Sequence, residues 1–584
     1  TYEKYCAITI LNEHGKEFGR IQEYYDNFRS MGKVTATLYD SEGKVIRKLK
    51  KDELTDVSAT SWSSGYGDSR IVTAKMVHDD YPYTIEYEYT INQKGLMFYP
   101  SWRPQFEEKL AIQKSSFIVK IPLSMPPLRY YSEDETLKPI TARENNNKLY
   151  TWSVNDLTAI EVEPYGPSSS DQVLSVLTAP ADFSIDGYSG NMESWQNYGN
   201  WYYQLNEGRD KLSSETILKV RELIEGAESK REKVKRIYQY LQSHTRYVSI
   251  QLGIGGWQTF DAAYVEKNNY GDCKALTNYM QAMLKEAEIS SKPVLVRAGR
   301  KVPKVCNEFC AVQFNHIFLT VPLESEQDTL WLECTSQQSP LNYLGSFTDD
   351  RNVLLIDKEK SRMIRTPAST AKDNMRERTI EAEILETGGV SAKVAIRYKG
   401  LQQNHPRSVA KMASPREQEE WLQDAIDLSG KTINEYEFTT VSQDEPLVVL
   451  EVDLDARQYA SKAGKRLLIN PNMLSRMTHI PEKMEERTQL IELKRAYSYK
   501  DEVHFTLPEG LSIESMPDAP VEIKSDFGTY QAQFFLTEDG KLQYSRFFQQ
   551  NKVSLPAERY EDFRQFMIDV NKADKTKVVL VKSE

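Results

Sequence analysis

Between residues 83 and 91 the side chains alternate. Tyr83, Ile85, Tyr87, Tyr89 and Ile91 fall on one side, and Thr84, Glu86, Glu88 and Thr90 on the other. A period of two predicts a strand with one buried face. Apolar-rich runs at 34–39 and 44–49 flank Asp40-Ser41-Glu42-Gly43, which predicts a hairpin. Residues 117–121 read as another strand, stopped by Pro122. No helical period longer than a few turns is visible before about residue 185. The stretch Tyr165-Gly166-Pro167-Ser168-Ser169-Ser170 reads as a loop. The first third is therefore expected to be β.

The period changes in the middle third. Ile217, Val220, Leu223 and Ile224 have helical spacing behind Ser213 and Ser214 as candidate caps, and Val234, Ile237, Tyr238 and Leu241 mark a second helix. A strand-like run at 247–252 leads into the loop Gly253-Ile254-Gly255-Gly256-Trp257. After Cys273 a third helix places Leu276, Tyr279, Met280, Met283, Leu284 and Ala287 on one face, and it ends before Pro293. Strands are expected at 294–296, 314–321 and 330–333, the last two joined by the acidic turn Glu324-Ser325-Glu326-Gln327-Asp328. This is an α+β unit with its helices mainly ahead of its strands. In the last third, strands at 379–385 and 390–398 bracket the turn Glu386-Thr387-Gly388-Gly389. Some helix is expected at 416–428. A final helix carries Tyr560, Phe563, Met567 and Val570, and a strand at 578–581 follows it.

A chain of 584 residues is too long for one core, so several domains are expected, at 1–185, 186–368 and 369–584. A hydrophobic share of 40% and a charged share of 27% fit an ordinary soluble globular protein. The net charge of -11 argues against a nucleic-acid partner, since phosphate binding needs a concentrated basic face. There is no run of about 18 apolar residues that would span a membrane. The chain begins at Thr1 rather than Met, so removal of an upstream segment is expected, which would allow export without showing it. The cysteines are Cys6, Cys273, Cys306, Cys310 and Cys334, too sparse for a disulfide scaffold. Cys306 and Cys310 could be bridged in an oxidising compartment or remain thiols. The histidines stand singly and no His-Glu-x-x-His occurs, so neither a metal site nor a cofactor is expected.

Candidate chemistry begins at Cys273, just after a Gly-Asp turn and at the start of an amphipathic helix. A thiol there sits at the positive end of the helix dipole, and its own N–H is a natural oxyanion donor. His316 follows on one strand and Glu333 on the next, and the short turn between makes the strands antiparallel neighbours. A cross-strand acid can fix the tautomer and orientation of the imidazole. Nucleophile, base and orienter thus occur in chain order. A lone cysteine is more often a core residue, and a lone strand histidine or glutamate more often structural; the joint order and adjacency favour chemistry. Asp272 is expected to cap the helix, because a carboxylate beside a thiolate would raise the thiol pKa. Gln251 is a candidate second oxyanion donor, with a plain strand-end role an equal alternative. Trp257 either lines an acyl pocket or anchors the glycine loop, and anchoring is the safer reading.

Tyr270-Gly271-Asp272-Cys273, Phe314-Asn315-His316 and Trp331-Leu332-Glu333-Cys334-Thr335 resemble the three motif blocks of the transglutaminase-like superfamily, over about residues 190 to 365. The resemblance includes Tyr247-Val248-Ser249-Ile250-Gln251 and Gly255-Gly256-Trp257-Gln258. It implies an α+β multidomain chain: a transglutaminase-like (papain-like) cysteine core between two β-rich, sandwich-like domains, in a bacterial arrangement with an N-terminal β domain of unknown function. It also implies an exported protein of the periplasm or outer envelope. The third member is usually Asp, and here the matching residue is Glu333, one methylene longer. In a related cysteine-hydrolase arrangement an amide fills this role, so the change is tolerable.

These observations lead to an expectation of cysteine-dependent acyl transfer on amide bonds through Cys273, His316 and Glu333, of peptidase or amidase type. The substrate would be a peptide or protein, with glycan or peptidoglycan as further candidates. The alternatives are transglutaminase-type crosslinking and a non-catalytic module that binds peptide or glycan. A metal enzyme using Cys273, His316 and Cys334 is a distant third, because no ligand pair has zinc-site spacing.

Overall fold

The alternation at 83–91 becomes a long strand, Tyr83–Gln93, with Tyr83, Ile85, Tyr89 and Ile91 buried. It is the second strand of a four-stranded antiparallel sheet in the order Tyr2–Ile10, Tyr83–Gln93, Arg29–Tyr39, Val45–Lys48. The last two form the hairpin expected around Asp40 to Gly43. The structure, a computed structural model, describes residues 1–59, 66–300, 302–325, 328–538 and 540–582. Glu326 and Gln327 of the acidic turn thus lie outside the described residues.

A three-stranded sheet of Arg20–Tyr25, Arg70–Lys75 and Thr55–Ser58 packs on the first. Ile8, Ile10, Leu38 and Ile85 from one sheet meet Ile21 from the other in a common core, the two-layer arrangement of a sandwich. Ile112–Pro122 and Asn147–Leu157 pair along their length, around Phe117 and Trp152. Among the described residues, the one α-helix before residue 185 is the single turn Ser169–Gln172.

The middle of the chain has its helices first. Ser214–Ile224 and Lys230–His244 start at Ser213 and Ser229, whose side chains accept from N–H groups of the first turn. They pack with Cys273–Glu286 through Val220, Val234, Ile237, Leu241, Leu276 and Met280. That helix bundle lies on a five-stranded antiparallel sheet in the order Thr329–Leu332, His316–Pro322, Lys292–Val296, Asn352–Leu355, Arg362–Arg365. A further helix, Trp195–Asn206, is not evident from the sequence pattern. Its aromatic residues are weak helix formers, and their burial as Tyr198, Trp201 and Tyr202 decides the conformation instead.

By its contacts the chain divides into two units. One comprises Thr1–Glu161, Ser169–Leu344 and Arg351–Thr366; the other comprises Val162–Ser168, Gly345–Asp350 and Pro367–Glu584. The second unit carries an eight-stranded sheet whose central strands Met375–Ile384 and Tyr497–Thr506 run parallel. The helix Tyr560–Asp574 and a four-stranded sheet that has Val578–Lys582 as an inner strand share one core with it. Inside this unit Arg546, fully enclosed, donates to Asp574 from Nε at 2.8 Å and from Nη2 at 3.0 Å. The helix expected at 416–428 runs Pro415–Ala425 behind a Ser414–Glu417 capping box. Among the described residues no helix is long and apolar enough to cross a membrane.

Candidate active site

The turn that presents Cys273 is fixed from both sides. Ala262–Asn268 ends at Asn269, whose φ of 56° is left-handed, a conformation that Asn tolerates. Tyr270–Gly271 then pairs in parallel with Arg246–Tyr247, and the Val248 N–H donates to the Gly271 carbonyl at 2.9 Å. A β-carbon on Gly271 would come within 2.8 Å of the Ala275 Cβ and 3.3 Å of Val265, so the helix start needs glycine there. Asp272 is the N-cap: its Oδ1 accepts from the Ala275 N–H at 3.0 Å. Cys273 is the first residue of the helix and is 6% exposed.

His316 opens its strand at the edge nearest this helix start. The ladder with the neighbouring strand pairs Thr320 with Trp331 and Leu319 with Leu332. Glu333 lies one residue beyond that ladder, on the same face as Trp331 and diagonal to His316. Its carboxylate reaches back, placing Oε2 at 3.0 Å and Oε1 at 3.2 Å from His316 Nε2. The extra methylene of glutamate therefore spans the gap. Thr335 steadies the carboxylate, donating to Oε1 from its hydroxyl at 2.6 Å and from its N–H at 3.2 Å. Tyr238 donates to the Glu333 carbonyl at 2.9 Å. The Cys273 sulfur is within hydrogen-bond reach of the His316 ring. Because Glu333 occupies Nε2, Nδ1 is the ring nitrogen left to face the thiol.

Charge within the site is strongly coupled. Burial disfavours a charged His316, but the Glu333 carboxylate and the adjoining Cys273 outweigh it and lift the ring to about 10. Burial likewise disfavours the Glu333 carboxylate, and His316 with Thr335 outweighs it, holding Glu333 below its usual range. The stable form of the pair is carboxylate and imidazolium.

Cys273, His316, Glu333 and Asp272 are thus brought together. Trp257 is packed between Phe28, with ring centroids 6.1 Å apart, and Phe98, at 5.3 Å, both from the N-terminal region. It belongs to the same apolar cluster as Cys273. The glycine loop is tied down further by parallel pairing of Ile250–Gln251 with Tyr66–Gly67, and by the Gly253 N–H donating to Asp68 at 3.0 Å. Gln251 is exposed on that short strand, and among the described residues its side chain makes no hydrogen bond.

Two polar residues beside the triad escape a reading of motifs alone. Thr335 follows Glu333 by two positions, the spacing of a side chain that binds its own backbone turn. Lys274 is enclosed beside Cys273, with its Nζ 2.5 Å from Asp272 Oδ2. A lysine in the first turn of a helix runs against the dipole, and that mismatch is the signal in the sequence. All five cysteines are free thiols. Among the described residues no group of three or more His, Cys, Asp or Glu side chains is placed to hold a metal ion.

Three family models match the chain. Residues 219–337 match the transglutaminase-like superfamily, residues 1–161 a domain of unknown function (DUF3857), and residues 465–580 a second such domain (DUF3858). No curated protein matches significantly. A crystal structure from Parabacteroides distasonis ATCC 8503, described as a "putative protease", is 14% identical and superposes with a TM-score of 0.62, covering 99% of this chain and 95% of that one. It shows the same fold. A structure from Cytophaga hutchinsonii, described as a "putative cysteine protease", is 8% identical, covers 57% of this chain and 75% of that one, and has a TM-score of 0.14, too low for a shared arrangement to be drawn from it. Cys273, His316 and Glu333 all fall within the region matched by the first model, and the α+β core with β-rich regions before and after it agrees with the fold class expected from the sequence. The chain is built around a transglutaminase-like core, preceded by a DUF3857 domain and followed by a DUF3858 domain.

Proposed function

We propose that the protein is a cysteine-dependent acyl-transfer enzyme acting on amide bonds, with hydrolysis as the outcome. The proton of Cys273 rests on His316, as the imidazolium that the Glu333 carboxylate supports, and the thiolate adds to the amide carbonyl. The oxyanion meets the Cys273 N–H at the helix start. His316 returns its proton to the leaving amine as the C–N bond breaks, leaving a thioester on Cys273. Water, losing a proton to His316, then attacks the thioester and releases the acid, restoring the Cys273 thiolate beside the imidazolium. Glu333 holds the imidazole in position throughout. Water needs no second binding site, which favours hydrolysis over transfer to an amine.

The observation that carries this reading is the alignment of Cys273, His316 and Glu333, with Nε2 at 3.0 Å and 3.2 Å from the two carboxylate oxygens. Peptides or proteins are the proposed substrates, including peptides linked to envelope glycan. The proposed location is outside the cytoplasm, in the periplasm or at the outer envelope, on the strength of the three-domain resemblance.

The burial of Cys273 favours a second reading, a peptide- or glycan-binding module that keeps the core as scaffold. A peptide carrying an electrophilic warhead separates the two. Enzyme chemistry predicts a mass adduct on Cys273 in the folded protein and none in Cys273→Ala. Binding of the peptide without any adduct on Cys273 contradicts it. Adding a primary amine during turnover of an amide substrate then distinguishes acid release from crosslinked product.

A further inference from the structure

Asp272 is 1% exposed and immediately precedes Cys273; Lys274, 6% exposed, immediately follows it. Their side chains meet at 2.5 Å, Nζ to Oδ2. Asp272 is needed at this place because its other oxygen caps the helix. A bare buried carboxylate beside the thiol would oppose the thiolate that the chemistry needs. We propose that Lys274 is a positioning residue of the active site: it neutralises the capping carboxylate, so that the cap which builds the helix start does not suppress the Cys273 thiolate. The inference rests on the nucleophile reading above.

Other charged and titratable groups face the same thiol. His316 and Glu333 come from the sheet. Tyr202 comes from Trp195–Asn206 and Tyr247 from Arg246–Tyr247. Burial, and then Cys273, push both phenols above their ordinary value, so they stay neutral through the range in which a thiol titrates. That leaves Asp272, Lys274, His316 and Glu333 as the charges that set the thiolate. Burial works against the Lys274 ammonium, but Cys273 and Asp272 outweigh it, so the lysine stays charged when the thiolate forms. A lysine in the first helical turn is otherwise unfavourable.

The test is the pH dependence of Cys273 alkylation by iodoacetamide, read by mass spectrometry on the Cys273 peptide of the full chain. In Lys274→Met the midpoint should rise by about one to three units, the effect of an uncompensated neighbouring charge. In Asp272→Asn/Lys274→Met, where Asn still caps the helix, it should return most of the way to wild type. Should Lys274→Met fail to fold, Asp272→Asn alone against the double variant makes the same comparison, and the midpoint should be lower with Lys274 present. An unmoved Lys274→Met, a double variant no different from it, or equal midpoints in the second pair overturns the inference. A wild-type midpoint near 8.5 overturns the nucleophile reading itself; a low wild-type midpoint with no effect of Lys274 overturns only this inference.

Discussion

Glu333 Oε2 lies 3.0 Å from His316 Nε2, although Glu333 sits one residue beyond the strand that pairs with the histidine strand. The longer side chain compensates for that offset. Glu333 should therefore act mainly by holding the ring. Glu333→Gln keeps an acceptor for Nε2–H but loses the charge, and charge-assisted hydrogen bonds are about twice as strong as neutral ones. The expected loss in kcat/KM is about tenfold, or ~1.4 kcal/mol. Glu333→Ala removes the acceptor and should lose about a hundredfold or more. Steady-state kinetics on an amide substrate decides this; equal losses in the two variants would contradict an orienting role.

Thr335 should matter through Glu333. Thr335→Val removes the hydroxyl that donates to Oε1 at 2.6 Å while keeping the shape of the side chain. A hydrogen bond to a charged group contributes roughly 1.5–3 kcal/mol, so the urea-unfolding free energy should fall by about that much. The alkaline limb of the activity profile should also move down, as a less well held carboxylate supports the imidazolium less. Thr335→Ser should restore both.

The His316–Glu333 pair sets a pH window for stability. His316 is raised to about 10 from an unfolded value near 6.5. Its contribution is fully present below about 6.5 and is lost as pH rises through about 10. Glu333 is lowered, so its contribution is present above its unfolded value near 4.3 and is lost as pH falls through the folded one. The pair should stabilise most between about 4.3 and 6.5. The difference in unfolding free energy between wild type and His316→Gln should shrink steadily from pH 6.5 to pH 10. A constant difference would mean that the pair is not ionised as described.

Gly271→Ala should damage the helix start. The added β-carbon would lie 2.8 Å from Ala275 Cβ; strand pairing pins Gly271, and the capped first turn of the helix pins Ala275. Overpacking of this kind costs about 1–3 kcal/mol, measurable as a lower denaturant midpoint. Slower capture of Cys273 by the electrophilic peptide should accompany it.

The parts of the site legible in the sequence were those set by local pattern and short connections. The amphipathic run behind Asp272 places Cys273 at a helix start, and the brief link between two apolar runs makes the strands of His316 and Glu333 neighbours. What the pattern does not carry are contacts made across long sequence separations. Phe28 and Phe98 pack on Trp257, and Tyr66–Gly67 pairs with Ile250–Gln251; no periodicity records these partners. The helix Trp195–Asn206 is stabilised by burial of its aromatic face rather than by propensity, so its local sequence is a poor guide. The motifs do not single out Lys274; its reason is the buried cap beside it.

The central claim is that His316 activates Cys273. The rate of iodoacetamide modification of Cys273 as a function of pH, in wild type and His316→Ala, tests it most directly. The prediction is a wild-type midpoint well below 7 that rises toward the ordinary thiol value near 8.5 when the imidazole is removed. A wild-type midpoint near 8.5, unchanged in His316→Ala, would contradict it.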